Sequence, residues 1–295
     1  MKYIQGYRPR ARARPLEFGI LTGEGLDAIW GAKEFGVPQL PPDASDDDRY
    51  ERARLRAMLL GYLIRWQKED AEKYELLGCE VEFRCPLINP ATGRKSDTWD
   101  LGGKLDKLVR ERATGDVWVV EHKTSGEDIS PGSSYWARLR MDTQVSIYHV
   151  GGNAVLREIG SGASVAGVLY DVLGKPKLRP LEANTRRERA ESPEEYEARC
   201  VAAIAESPDR YYRRAPVIRL EGELDDALID IWQQSKQMRE AELKNRAPRN
   251  PEACSRWGRM CEFFPVCSGE TTLQDETLYR LSSHVHPELS AEIVK

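Results

Sequence analysis

The chain predicts an α/β sandwich, a mixed central sheet flanked by helices. Three patterns in its 295 residues carry that expectation. Helical periodicity covers residues 48 to 76 and 221 to 244, a β-hairpin signature covers 99 to 124, and a helix at 136 to 150 leads into an apolar run at 166 to 173. Hairpin, crossover helix and returning strand are the order that builds such a sheet.

Taken in order, a first helix is expected from about 19 to 33. The acidic loop Pro42-Asp-Ala-Ser-Asp-Asp-Asp48 caps the next, which starts at Asp48. In the strand near 79 to 88, Cys79, Val81, Phe83 and Cys85 alternate with Glu80, Glu82 and Arg84, which puts both cysteines on an apolar face. Leu105, Leu108 and Val109 flank Asp106 in a strand at 99 to 109. Ala113-Thr-Gly-Asp116 then turns the chain, and Val117 to Val120 open a strand that runs to 124. Alternation along that strand sends Glu121 and Lys123 to one face and His122 to the other. Gln144 and Tyr148, four residues apart on the crossover helix, share a helical face. Further helices are expected at 194 to 206, where Cys200 packs beside Ala202, Ala203 and Ile204, and at 221 to 244. The active site is expected at a sheet edge, with the two long helices bracing the core and forming a channel wall.

Asp106, Glu121 and Lys123 place two acids and a lysine around one hairpin, a set suited to phosphodiester hydrolysis. Carboxylates hold a hard cation such as Mg²⁺, which prefers oxygen ligands and keeps several waters. Such a cation acidifies water and neutralises phosphoryl oxygens, while a neighbouring ammonium orients the water or stabilises the transition state. Lys123 suits that second role. A bare Glu-x-Lys is also common as a solvated pair on exposed strands, so its context carries the weight.

That context is a series of segments: Leu16-Glu-Phe-Gly19 opening a helix, Gly103-Lys-Leu-Asp106, Glu121-His-Lys123-Thr-Ser, Asp142-Thr-Gln144-Val-Ser-Ile-Tyr148, and then Gly167-Val-Leu-Tyr-Asp-Val-Leu-Gly-Lys-Pro-Lys-Leu-Arg179. In order and spacing they resemble the PD-(D/E)XK nuclease superfamily, in its RecB-type branch of phage exonucleases and CRISPR-associated adaptation nucleases. The resemblance implies a restriction-endonuclease-like core. It implies that Asp106 and Glu121 ligate Mg²⁺ or Mn²⁺, that the His122 carbonyl adds a ligand, and that Lys123 assists catalysis. Gln144 and Tyr148 would then lie beside the catalytic lysine and the nucleic-acid backbone. One position departs from the pattern: the family's first helix supplies a histidine or glutamate to the metal, and here that position reads Gly23, followed by Glu24. For Glu24 to substitute, the helix must turn by one residue, about 100°. Otherwise Glu24 is a surface residue and the site has one ligand fewer.

Cys254, Cys261 and Cys267 cluster near the C-terminus. Thiolates select soft metals and hold iron–sulfur centres, although these spacings match no short zinc knuckle. The same family resemblance implies a [4Fe–4S] cluster completed by a far upstream cysteine. The N-terminal segment has none, so no fourth ligand is identified. Either the chain starts late or the cluster is incomplete. Six cysteines with no export signal suit a reducing compartment, and the cytoplasm of a bacterium or phage-infected host is expected.

Hydrophobic residues at 40% and charged residues at 31% leave no run of membrane-spanning length. A nuclease domain at 1 to 249 with helical elaborations and a cysteine-containing extension at 250 to 295 are expected. The net charge of −4 averages over faces. Basic clusters at Tyr7-Arg-Pro-Arg-Ala-Arg-Ala-Arg14, Lys175 to Arg179, Arg186 to Arg189 and Arg210-Tyr-Tyr-Arg-Arg214 can track phosphates and stack bases, or form ordinary charged surface. Together these features predict a metal-dependent DNA exonuclease of recombination, repair or end processing, with DNA and a recombination or helicase protein as partners. The alternatives are a structure-selective endonuclease and, because of Gly23, a catalytically weak DNA-binding scaffold. A redox protein built on the cysteine trio would leave Asp106 to Tyr148 unexplained.

Overall fold

The computed structural model describes residues 5–10, 14–31, 33, 35–185, 188–255, 260–286 and 289. Arg12, Arg186, Arg187 and residues 256–259 of the segments singled out above lie outside the described residues. In chain order the main elements are β1 (Tyr7–Pro9), α1 (Arg14–Trp30), α2 (Asp46–Lys73), β2 (Tyr74–Ile88), β3 (Lys95–Glu111), β4 (Val117–Ser125), α3 (Ser134–Arg138) and α4 (Thr143–Glu158). They continue with β5 (Val165–Gly174), α5 (Pro193–Glu206), α6 (Pro208–Tyr211), β6 (Tyr212–Val217), α7 (Glu221–Leu243), α8 (Phe264–Ser268) and β7 (Tyr279–Leu281).

The chain divides into two compact units. One comprises Pro15–Phe83 and Gly103–Glu221, the other the described parts of Met1–Arg14, Arg84–Gly102 and Gly222–Lys295. In the second unit β1 pairs antiparallel with β7, and Phe263 stacks on Tyr279 with ring centroids 5.4 Å apart. No described helix is long and apolar enough to cross a membrane.

The five-stranded sheet has the order β2-β3-β4-β5-β6. β3 and β4 are antiparallel, β4 and β5 parallel, β5 and β6 antiparallel, so the sheet is mixed as expected. Parallel neighbours need a crossover, and α4 supplies it between β4 and β5. β4 is therefore the central strand, and Glu121, with Asp106 on the neighbouring β3, stands in the middle of the sheet rather than at an edge. α2 starts where Ser45 accepts the backbone N–H of Asp48 at 3.2 Å. Its apolar face, with Leu55, Met58, Leu59 and Tyr62, packs with Phe18, Leu26 and Ile29 of α1 and with Tyr196, Cys200 and Ile204 of α5. α4 comes close to the sheet because it carries Gly151 and Gly152: a Cβ on Gly151 would meet the Phe83 ring at 2.5 Å, and one on Gly152 would meet Val165 at 2.7 Å.

Three further expectations change. The crossover helix does not begin at 136: Asp142 accepts the N–H of Gln144 at 2.8 Å and caps a fresh start at Thr143, leaving α3 as a separate turn. Cys79 and Cys85 are only half-buried while Phe83 is core, because Glu80 takes a left-handed backbone (φ 50°) that interrupts the alternation. Residues 212 to 217 form a fifth strand of the sheet rather than a stretch of charged surface alone. α7 belongs almost wholly to the second unit.

Candidate active site

The β3–β4 ladder pairs Lys107 with Val120, so Asp106 and Glu121 stand opposite each other one step further on. Opposed residues on antiparallel strands send side chains to the same face, and the Asp106 charge is felt at the Glu121 carboxyl. Lys123 emerges on that face too, its ammonium ion-paired with Glu121 Oε1. The backbone N–H of His122 donates to Asp106 Oδ2 at 2.9 Å.

The two acids have opposite electrostatics. Burial pushes the Asp106 carboxyl up, but the hydrogen bonds and charge of His122 prevail and bring it to about 2. Glu121 is 2% exposed, and its Oε2 is buried without a hydrogen-bond partner. Burial, and then the Asp106 charge, push it up from 4.5 to about 8 against the opposing pull of Lys123. Two carboxylates that cannot readily ionise together do so when a cation lies between them. An orphaned buried oxygen beside an ionised acid thus fits a hard divalent ion. Among the described residues no three of His, Cys, Asp and Glu form a ready-made metal cluster. Two carboxylates with waters completing the shell match the habit of Mg²⁺.

A cleft of about 600 Å³ opens onto these groups. Gln144 and Tyr148 line it from α4, Gln144 Nε2 donating to the Tyr148 hydroxyl at 2.8 Å. Burial, then the charges of Glu121 and Asp106, push the Tyr148 phenol up, so it stays a neutral donor. On α1, Phe18, Thr22, Gly25, Leu26 and Ile29 are buried. At about 100° per residue, Leu16, Gly23 and Asp27 fall on a neighbouring stripe, and all three line the cleft. Glu24 lies one residue round from Gly23, exposed but still among the cleft residues. Gly23 leaves a gap: a Cβ there would meet nothing within 4 Å. The acid on the stripe is Asp27, which accepts a 2.6 Å hydrogen bond from the ammonium of Lys107, itself 1% exposed.

Asp27 is not flagged by its neighbours in sequence, although it stands one helical turn beyond Gly23. Asp171 carries a clearer signal, a lone acid within Val168-Leu-Tyr-Asp-Val-Leu173, where burial demands a partner. It finds Arg214, whose guanidinium bridges Asp171 (2.6 Å) and Asp70. Arg214 and Tyr212 of the last basic cluster are therefore not phosphate or base contacts: β6 pairs with β5, which turns Arg214 inward and buries Tyr212, whose hydroxyl donates to the Met58 carbonyl at 2.7 Å, while Arg210 stays exposed. Arg8 and Arg10 of the first cluster donate to backbone carbonyls of Val285 and Glu276, and Lys175 sits over the Phe18 ring at 3.9 Å. Cys254, Cys261 and Cys267 are free thiols, Cys261 exposed and the others half-buried. They do not come together as a metal-ligand group among the described residues.

A mixed α/β sheet whose central strands present two acids and a lysine to a cleft is the build of a nuclease with a restriction-endonuclease-like core. The family profile of the PD-(D/E)XK nuclease superfamily matches residues 7–268, and the chain belongs to that superfamily. No curated protein matches the sequence. Among solved structures, the crystal structure of SSO0001 is similar over 89% of this chain and 90% of its own, at 13% identity and a TM-score of 0.31, a likeness too low to support any inference.

Proposed function

We propose that this nuclease is a Mg²⁺- or Mn²⁺-dependent exodeoxyribonuclease, acting in phage or bacterial recombination, repair or end processing beside a recombination or helicase partner. The observation that carries the reading is the opposed Asp106–Glu121 pair, in which Glu121 keeps one buried oxygen unpartnered while its other oxygen pairs with Lys123. In it Asp106 and Glu121 hold the cation, with the His122 carbonyl as a further ligand and Glu24 at the margin. A bound divalent ion supplies an acidified water and neutralises phosphoryl charge. Lys123 orients that water and stabilises charge on the phosphorane oxygens. Gln144 and the neutral Tyr148 donate hydrogen bonds to the nucleic-acid backbone in the cleft.

The test is digestion of linear and circular DNA, labelled separately at each end, with Mg²⁺, Mn²⁺ or EDTA. Wild type should degrade linear DNA from an end only with metal, Asp106→Ala should be inactive, and Lys123→Ala should lose about 10²–10³-fold in rate. Cutting of circular DNA would replace the exonuclease by a structure-selective endonuclease. Gly23 on the cleft stripe favours a second reading, a DNA-binding scaffold with weak catalysis, and wild type that binds DNA without cutting it would establish that instead. The [4Fe–4S] centre on Cys254, Cys261 and Cys267 is a separate expectation, drawn from family resemblance alone. Iron analysis and visible absorption of anaerobically purified protein decide it.

A further inference from the structure

We propose that Asp171 is a positioning residue for the metal-binding carboxylate Asp106, acting through the ring of His122. The inference rests on the nuclease reading above and extends the site to the opposite face of the sheet.

Asp171 is fully buried, and Arg214 already has a partner in Asp70, contacting both of its carboxylate oxygens. Two buried carboxylates share one guanidinium, and a buried carboxylate calls for polar neighbours beyond a shared one. The His122 ring is such a neighbour. Its Nε2 lies 3.5 Å from Asp171 Oδ2, and its Nδ1 lies 3.7 Å from Asp106 Oδ2. The Tyr62 hydroxyl is 3.4 Å from Nε2 but has no capacity to spare. It accepts from Trp30 Nε1 (2.9 Å) and Arg214 Nη2 (3.0 Å), and gives its one proton to Asp171 Oδ2 (2.6 Å). The ring nitrogens are left facing the two carboxylates.

Trp30 and Tyr62 meet the imidazole edge to face, with centroids 6.2 and 6.1 Å away, so the ring cannot swing freely. His122 acts as a strut between a fixed acid and a working one. The oxygen it faces, Asp106 Oδ2, is the same one that takes the His122 backbone N–H. Where the ring stands therefore decides how Asp106 is presented to the cleft. Residues that support ligands in this way typically shift metal affinity or activity about 10–100-fold when replaced.

The test is Mn²⁺ binding to the full chain without DNA, by electron paramagnetic resonance, for wild type, Asp171→Asn, His122→Gln and the double variant, with circular dichroism as the check on folding. Asp171→Asn should weaken Mn²⁺ by about tenfold or more and raise the Mn²⁺ concentration for half-maximal cleavage. It should add little once His122 is already Gln, since the strut is then cut. Where Asp171→Asn fails to fold, His122→Gln alone carries the same expectation. Folded variants that bind Mn²⁺ within about twofold of wild type, or single-variant losses that simply add in the double, would overturn the inference and leave the nuclease reading intact. Wild type that binds no Mn²⁺ would overturn both.

Discussion

Glu121 holds a proton at neutral pH in the metal-free protein, because burial and the ionised Asp106 push its carboxyl up to about 8. Its folded value lies above the ordinary 4.5, so its contribution to stability is full below pH 4.5 and is lost as pH rises through 8. With EDTA present, the melting temperature should fall between pH 5 and pH 8.5, as read by differential scanning fluorimetry. Glu121→Gln should flatten the profile, and Mn²⁺ should restore stability at the alkaline end; an unchanged slope in the variant would remove Glu121 from the explanation. Arg214 poses a different problem, a buried cation serving two buried acids. Truncating it leaves Asp70 and Asp171 unneutralised, and Arg214→Ala should cost about 3–5 kcal/mol in urea denaturation. A cost below about 1 kcal/mol would mean that water reaches the cluster, as it does for exposed ion pairs.

At the scale of elements, two helices treat glycine in opposite ways. α4 needs Gly151 because the Phe83 ring occupies the place of a side chain, so Gly151→Ala should destabilise by about 1–3 kcal/mol through overpacking. α1 has no such constraint at Gly23, where a Cβ meets nothing. Gly23→Ala should therefore stabilise by up to about 1 kcal/mol through helix propensity. Thermal and urea unfolding of the two variants should give opposite signs. Equal signs would mean that α4 can move off the sheet, or that α1 is held by something other than its own backbone. The spacing of α4 also fixes where Gln144 and Tyr148 reach the cleft, so Gly151→Ala should slow cleavage as well as unfold more easily.

Across the molecule, several cations among the described residues are occupied by the chain's own acids: Arg56 with Glu197, Arg84 with Asp100, Arg110 with Glu75, Arg189 with Glu195 and Arg199 with Glu191. With a net charge of −4, DNA affinity measured by fluorescence anisotropy with the slow-cleaving Lys123→Ala should fall more on removing divalent cation than on doubling NaCl. The reverse would assign most phosphate contacts to side chains outside the cleft. The sequence by itself determined the helix and strand order from α1 to β5 and the hairpin that unites Asp106, Glu121 and Lys123, because alternation, turn residues and helical spacing are local properties. It also marked Gln144 and Tyr148, since four residues on a helix make one face. Only the tertiary structure decided that β4 is central, that Arg214 faces inward, that Lys107 holds Asp27 from 80 positions away, and that Tyr62 reaches Asp171 across 109. Buried charges choose their partners by proximity in the folded core, and no local pattern records who that neighbour will be.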